Sequence, residues 1–448
     1  LPIAMVTESV KSKQESGELD LEGMTLESLE AEYREAQARC APDRKGLAMV
    51  ERYDLGPKAR AELETQVEEA AGNLESAKSA LVKLQSGDPG YRRIWERISE
   101  ITLGACFENC ARLQAKVTEE STAGESTYRE ALADLVRDLE ERGIAEASEG
   151  ALVVRLDEYG ITEPLLVRKR DGGFLYATTD LAGIRRRVQT LGGDRLIYAV
   201  DARQSHHFRQ VFAAARKAGY ARQADGEDAA LIHAAFGTVL GPDNRPFKTR
   251  SGENVKLRDL LEEAVRRARE AVTRKNPELG EKDATEIAEA VGIGAIKYAD
   301  LSSDRVKDYV FDFDRMLAFE GNTGPYLQYA MVRTRSILRK AEDRFGVTRE
   351  GLSGVSISCD APEEKALALE LLKYGGALRS SSESCEPHRL CVYLFELATL
   401  FSAFFASCPV LMAEDEPTRA SRLRLTALTG RVMRDGLETL GIRPLERM

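Results

Sequence analysis

The chain has 448 residues, of which 43% are hydrophobic and 31% charged, and its formal net charge is −10. At about 100–200 residues per domain, this length predicts two to four domains with hydrophobic cores. The acidic excess argues against nucleic-acid binding through bulk positive charge. No apolar run reaches the roughly 18–20 residues that a membrane-spanning helix needs, so we expect no membrane segment.

The cysteines and histidines argue against a disulfide framework and against a metal site. Seven cysteines, an odd number, are scattered from Cys40 to Cys408, which is typical of a protein in a reducing compartment. Cys106 and Cys110 lack a second pair with which to bind zinc, and only four histidines are present. We therefore expect a cytoplasmic protein without a bound metal.

The first predicted zone, residues 1–150, is helical and acidic, with 31 acidic against 19 basic residues. Thr25 is typical of a helix N-cap. From Leu63 to Leu84 the apolar residues recur in alternating steps of four and three, which predicts a long helix with a heptad seam. We interpret this helix as one arm of an antiparallel helical hairpin.

The second zone, residues 151–314, alternates strand and helix patterns, which indicates an α/β sheet. Residues 174–176 resemble a strand, so that Tyr176 would end a strand and the next helix would start near Thr179. Such sheets bind ligands beyond the carboxyl ends of their strands. The remaining predicted strands are residues 151–156, 164–169, 195–200 and 231–240, and the later helices are residues 207–218 and 256–272.

The third zone, residues 315–448, is predicted to be all helical. Apolar stripes with a spacing of three or four residues recur through it, as at Leu367, Leu371 and Leu378. This pattern predicts a separate helical bundle.

Tyr176 and Asp180 lie where a ligand is expected in the α/β zone. A carboxylate beside an aromatic ring suits a guanidinium or ammonium group, because the carboxylate accepts a forked pair of hydrogen bonds and the ring covers the cation. The alternative is an aspartate that balances the dipole at a helix N-terminus.

Two further segments at strand ends are rich in polar residues. Residues 201–208 cross from an apolar strand into a helix, where a histidine can hold a phosphate oxygen; the alternative is a set of caps and solvated side chains. Residues 241–252 contain Lys-Thr-Arg-Ser-Gly between Gly/Pro turns, which suggests closure over a polyphosphate. The alternative there is a basic surface loop.

The bundle contains aromatic and basic residues on one predicted helix. Tyr326 and Tyr329 precede Arg333 and Arg335, and residues 331–340 contain four bases and no acid. Such a combination can stack unpaired bases and hold phosphates. The alternative is a solvated basic face.

Together these segments resemble the arginyl-tRNA synthetase family, which belongs to the class I aminoacyl-tRNA synthetases. The blocks occur in the order found in the family, and a tail from residue 393 resembles its anticodon-binding domain. The matching blocks are KLQSGD (83–88), DGGFLYATTDLA (171–182), DARQSHHF (201–208), FGTVLG with RPFKTRSG (236–252), GIGAIKYADLS (292–302) and FEGNTGPYLQYAMVR (319–333).

The resemblance implies the fold class. It is α/β, with a Rossmann-like class I catalytic domain that is truncated at its start and a C-terminal all-α anticodon-binding bundle. Residues 1–150 would then be a partial catalytic domain with a helical hairpin insertion. Residues 151–314 would be the nucleotide-binding α/β domain, and residues 315–448 the anticodon-binding domain.

The resemblance also implies roles for individual residues. Tyr176 and Asp180 match the pair that holds the guanidinium of the substrate arginine, and Gln204 matches a further contact with arginine. The ATP-binding positions are His207 and the loop residues Lys248, Thr249, Arg250 and Ser251, which resemble the family's Lys-Met-Ser-Lys-Ser loop without its second lysine. The positions expected to bind tRNA are Tyr326, Tyr329, Arg333 and Arg335.

The implied reaction joins arginine and ATP into arginyl-adenylate and then transfers arginine to tRNA(Arg). Mg²⁺ would accompany ATP, and the protein would be a monomer. Chemistry of this kind depends on positioning and charge stabilisation and needs no covalent nucleophile.

One departure from the family pattern is large. The family's His-Ile-Gly-His-type motif and the first strand–helix unit belong upstream of Leu1. We therefore expect the chain as written to be inactive or nearly so, and the longer protein to be the enzyme.

Two other functions remain open at this point. A non-catalytic tRNA-binding paralogue is one, although such a protein has no reason to keep Tyr176, Asp180, Gln204 and His207. Another class I synthetase is the second, but Tyr176 with Asp180 suits a guanidinium best, and a cysteinyl enzyme would need zinc-binding cysteines.

Overall fold

A computed structural model of the chain describes residues 2–42, 44–53, 56–241, 243–245 and 256–448. The chain divides into two compact units. The first contains residues 1–112 and 116–119, and the second contains residues 113–115 and 120–448.

The described part of the first unit is helical, as the sequence pattern predicts. Thr25 caps α2, because its side-chain oxygen accepts a hydrogen bond of 3.3 Å from the backbone N–H of Ser28. The heptad segment lies within α4, which packs along α1 and also contacts α2, α3 and α5. The helices are α1 (Pro2–Glu15), α2 (Leu26–Arg39), α3 (Arg44–Tyr53), α4 (Pro57–Ser86) and α5 (Pro89–Arg112).

The second unit begins with a helix and a three-stranded antiparallel sheet. The strands pair in the order β1–β2–β3, and side chains such as Leu152, Val154 and Val167 are buried in one hydrophobic core with the neighbouring helices. These strands confirm the two predicted near residues 151–169. The elements are α6 (Arg129–Glu141), β1 (Ala145–Ser148), β2 (Ala151–Leu156) and β3 (Ile161–Arg168).

The prediction of a strand ending at Tyr176 is wrong, because Tyr176 is the first residue of helix α7 (Tyr176–Arg185). Thr178 explains the early start of the helix. Its hydroxyl accepts a 3.4 Å hydrogen bond from the backbone N–H of Leu175 and donates one of 2.6 Å to the carbonyl oxygen of Val167 in β3. The first turn of α7 is thereby tied to the antiparallel sheet.

A strand–helix–strand unit follows, made of β4 (Arg195–Tyr198), α8 (Ser205–Lys217) and β5 (Ala230–His233). The two strands are parallel, as the alternating pattern predicts. Pairing continues beyond them in a parallel bridge between Asp201 and Phe236. Ile197 of β4 is 51% exposed, so this strand is not buried on both of its faces.

A second parallel pair joins β6 (Val239–Leu240) to β7 (Tyr309–Val310). Between them the chain forms α9 (Leu257–Lys275) and α10 (Glu281–Ser302), which pack closely against each other. The short helix α11 (Phe313–Met316) leads into the C-terminal part.

The C-terminal part is a helical bundle, and the prediction of an all-α region is confirmed. Helix α15 (His388–Ser407) is nevertheless long and apolar enough to cross a membrane, by length and composition only. A buried core helix meets the same criterion, and Leu394, Leu397 and Phe401 of α15 are fully buried in the bundle. The helices are α12 (Gly324–Phe345), α13 (Pro362–Leu372), α14 (Tyr374–Ser384), α15 (His388–Ser407) and α16 (Glu416–Thr439).

Candidate functional site

Two of the predicted site residues lie on one face of α7, near its N-terminus. Tyr176 is the first residue of the helix and is 74% exposed, and Asp180 follows it by four residues. Residues four apart are neighbours on a helix surface. Ala177 and Leu181, on a different face of α7, are buried. Their packing fixes the helix in place and so fixes the position of its polar face.

The connection from β4 to α8 carries the next candidate, Gln204, which is exposed at the start of α8. Asp201 shapes this connection by accepting hydrogen bonds from the backbone N–H of Arg203 at 2.8 Å and from its guanidinium at 3.0 and 2.6 Å. These bonds lower the pKa of Asp201 to about 2. The carboxylate of Asp201 is therefore occupied by its own loop.

His207 and Asp180 are in direct contact, which the sequence did not predict. Nε2 of His207 lies 2.7 Å from Oδ2 of Asp180, and each side chain is 30% exposed. The adjacent ring of Phe208 packs edge-on against the imidazole, with 5.3 Å between centroids. The predicted arginine-binding carboxylate and the predicted ATP-binding histidine are thus parts of one constellation.

A contact between an arginine and a tyrosine also lies near these residues, and the sequence pattern does not predict it. Nη1 of Arg187 donates a 3.1 Å hydrogen bond to the hydroxyl of Tyr198 in β4, and the guanidinium lies 5.5 Å from the centroid of the same ring. Arg187 belongs to a π-helical turn at residues 186–190 that continues α7. Such a turn leaves no simple signal in the pattern of apolar residues.

The four candidate residues of the phosphate loop, Lys248, Thr249, Arg250 and Ser251, lie outside the described residues. The described residues that flank this segment are β6 with the turn at Asn244, and α9, which begins at Leu257. The assignment of the loop to ATP stays a prediction.

Two of the predicted tRNA-binding residues form an exposed cluster on α12. The guanidinium of Arg333 donates a 3.1 Å hydrogen bond to the hydroxyl of Tyr329 and lies 5.0 Å from that ring and 5.3 Å from the ring of Phe405. Lys275 of α9 approaches the ring of Tyr329 to 5.6 Å, and Tyr329 is 39% exposed. Neither Lys275 nor Phe405 was predicted to belong to this cluster. Phe405 lies in an apolar run, and that pattern indicates a buried core residue.

The other two predicted tRNA-binding residues are placed differently. Tyr326 is partly buried, and its hydroxyl lies 3.4 Å from that of Ser402. Arg335 is only 6% exposed and forms an ion pair with Glu446. The structure therefore does not bring the four residues together on one surface.

Comparison with known proteins identifies the family. The profile of "tRNA synthetases class I (R), catalytic domain" matches residues 6–313, and the profile of the "DALR anticodon binding domain" matches residues 327–448. The arginine–tRNA ligase of Azotobacter vinelandii is 45% identical over 430 residues, which cover 95% of this chain and 70% of that protein. The chain belongs to the arginyl-tRNA synthetase family.

Further comparisons agree with this assignment. The arginine–tRNA ligase of Stutzerimonas stutzeri is 49% identical over 378 residues, which cover 84% of this chain and 64% of that protein. The crystal structure of arginyl-tRNA synthetase from Plasmodium falciparum has the same fold, with a TM-score of 0.76 and 24% identity, and the match covers 100% of this chain and 68% of that one. The chain thus spans 64–70% of the length of these relatives.

Membership in the arginyl-tRNA synthetase family confirms the predicted fold class. A class I catalytic domain is followed by an all-α DALR domain. The family consists of aminoacyl-tRNA ligases, and residues 176–207 lie within its catalytic domain. The exposed cluster around Tyr329 and Arg333 lies within the DALR domain.

Proposed function

We propose that the protein is an arginine–tRNA ligase. In the first step the carboxylate of arginine attacks the α-phosphorus of ATP, arginyl-adenylate forms and pyrophosphate leaves. In the second step a hydroxyl of the terminal ribose of tRNA(Arg) attacks the carbonyl carbon of the adenylate, and AMP leaves. The chain supplies positioning and charge stabilisation, which suffice for transfers of this type.

The observation that carries this proposal is the polar face formed by α7 and the start of α8. We assign Tyr176, Asp180 and Gln204 to the substrate arginine. A carboxylate accepts two parallel hydrogen bonds from a guanidinium, and the exposed ring of Tyr176, one helical turn away, can cover a flat cation. A lysine substrate would satisfy the charge but would leave the forked hydrogen bonds unmade, so the site favours arginine.

For ATP we propose the loop residues Lys248, Thr249, Arg250 and Ser251, whose basic and hydroxyl groups suit phosphate oxygens. Mg²⁺ would accompany ATP and would neutralise phosphate charge when bound. Asp180 on α7 contacts His207 through Oδ2 and is assigned to the substrate arginine, and Asp201 after β4 is bonded to Arg203. We therefore assign no protein-held metal and no step to Mg²⁺.

For tRNA(Arg) we propose the surface of α12, with Tyr329 and Arg333 as its centre and Tyr326 and Arg335 as supporting positions. Support comes from the exposed aromatic ring of Tyr329 with two cations close to it, because unpaired bases stack on such rings while cations hold the backbone. Phe405 and Lys275 extend the same surface. We further propose a cytoplasmic monomer, and sedimentation of the purified protein tests the oligomeric state.

The test is arginylation of tRNA by the longer protein that the family pattern predicts, with Asp180→Asn as the variant. We expect arginine-specific charging by the wild type and a loss of at least about 100-fold in kcat/KM for arginine in the variant, because a charged hydrogen-bond pair is worth roughly 3 kcal/mol in such a site. Asp157→Asn, which changes an exposed carboxylate between β2 and β3, is the matched control and should charge normally.

Two results would contradict the proposal. Retention of tRNA binding without any adenylate formation would favour the non-catalytic paralogue, and charging with another amino acid would favour another synthetase. The expectation that residues 1–448 alone charge poorly stays a prediction, and the same assay on that chain tests it.

A further inference from the structure

The contact between His207 and Asp180 joins two helices that carry the candidate arginine site. Asp180 is in the second turn of α7, and His207 is in the first turn of α8. The two helices pack against each other through buried residues such as Leu181 and Phe208. The 2.7 Å separation between Nε2 and Oδ2 is that of a short hydrogen bond.

The bond engages one side of the carboxylate and leaves the other side open. Among the residues that the structure describes, His207 is the one side chain bonded to Asp180. A carboxylate offers about four lone-pair sites, so one bond to Oδ2 is compatible with a forked contact from a ligand. The imidazole can donate from Nε2 while neutral, and it then adds no positive charge beside a cationic ligand.

We infer that His207 is a positioning residue for guanidinium recognition, which acts by fixing the orientation of the Asp180 carboxylate. This inference rests on the proposed function. It replaces the assignment of His207 to ATP that the family resemblance implies. A free carboxylate would rotate about its terminal torsion, which is broad and soft, and fixing it beforehand reduces the ordering cost of binding arginine.

Two substitutions of His207 separate the effect of its donor atom from the effect of the rest of the side chain. In His207→Gln the side-chain amide nitrogen is as many bonds from the backbone as Nε2, so the donor to Asp180 is kept. In His207→Asn the amide nitrogen takes the place of Nδ1 and falls short. His206→Ala is the matched control, because His206 is the adjacent exposed histidine, and its Nε2 lies 3.8 Å from Glu163.

The experiment measures steady-state tRNA charging by the same longer protein that the family pattern predicts, with arginine and ATP varied separately. We expect His207→Asn to raise KM for arginine by roughly 10- to 100-fold, since hydrogen bonds to charged groups have this strength, while KM for ATP stays unchanged. His207→Gln should recover most of the loss, and His206→Ala should resemble the wild type. Thermal unfolding of each variant shows whether the helices still pack.

The outcomes distinguish the inference from the function on which it rests. A rise in KM for ATP with an unchanged KM for arginine would overturn the inference and restore His207 as a nucleotide contact. Equal losses in the Gln and Asn variants would also overturn it, because the donor atom would then be irrelevant. Absence of arginine charging by the wild type would overturn the proposed function, and the inference with it.

Discussion

The crossing of α9 and α10 depends on a glycine, and its replacement gives a quantitative prediction. A Cβ atom added at Gly292 of α10 would lie 2.7 Å from both the Cα and the N of Val265 and 2.8 Å from the backbone carbon of Ala264, all in α9. Ordinary contact begins at 3.4 Å, so the helices would have to separate by about 0.7 Å. Backbone atoms cannot be moved aside by a change of rotamer.

We therefore expect Gly292→Ala to destabilise the second unit, even though alanine favours helix. The gain in helix propensity is about 1 kcal/mol, while overpacking of a close contact typically costs about 1–3 kcal/mol. Separation of the helices would also loosen the apolar contacts along their length. We therefore expect the free energy of unfolding to fall by about 1–2 kcal/mol in total. Urea unfolding should show a lower midpoint with an unchanged slope.

Gly376→Ala is the control for this substitution. Gly376 is also helical, in α14, but an added Cβ would have no atom within 4 Å. Here only helix propensity changes. We therefore expect the free energy of unfolding to stay the same or to rise by up to about 1 kcal/mol. If Gly292→Ala were as stable as the control, the close crossing of α9 and α10 would be refuted.

Three further predictions concern the bundle. Arg333→Ala should raise KM for tRNA several-fold in charging assays without changing KM for arginine, whereas Arg335→Ala should lower the unfolding midpoint, because that guanidinium is buried. Burial would raise the pKa of Glu364, but hydrogen bonds from the backbone of Ala361 and from Arg422 lower it on balance. Its stabilisation is therefore present at neutral pH and lost as the pH falls through the lowered pKa. Glu364→Gln should remove that acid sensitivity and cost about 2–3 kcal/mol at pH 7, measured by urea unfolding across pH.

Helical and strand periods in the sequence were sufficient to predict most elements. The heptad from Leu63 to Leu84 predicted α4, and the alternation of strands and helices agrees with the parallel pair β4 and β5, whereas the strands at residues 151–168 are antiparallel. The start of α7 was misplaced because the deciding interaction is the hydrogen bond from Thr178 to Val167, eleven residues away. Local pattern carries no information about such a partner.

The sequence names the residues proposed for the candidate site, but it does not show how they are arranged. Asp180 and His207 are separated by 27 residues, and only the packing of α7 against α8 brings them together. The burial of Arg335 could have been predicted from its spacing. It lies four residues after the buried Met331 and three before the buried Leu338. Its place on the apolar stripe of α12 predicts burial, whereas Arg333 lies two residues back, on the other side of the helix.

In the second unit, side chains from before residue 315 bond directly to the C-terminal helices, although the two parts have different sequence patterns. Tyr298 of α10 lies fully buried in the core of the bundle, and its hydroxyl is 2.5 Å from Oδ1 of Asn322 and 3.1 Å from the carbonyl oxygen of Cys391 in α15. Arg195, the first residue of β4, donates hydrogen bonds of 2.9 and 3.0 Å to the carbonyl oxygens of Ser382 and Glu383 at the end of α14.

These bonds give the last carbonyl groups of α14 partners that the helix cannot supply itself, and a cation at a helix C-terminus is electrostatically favourable. The strand that Arg195 begins leads directly to Gln204 and His207. The end of α14, in the DALR domain, is therefore hydrogen-bonded to the first residue of the strand that leads to the candidate arginine site. The predicted domain boundary between residues 314 and 315 falls within α11, and hydrogen bonds and buried side chains connect the parts on its two sides.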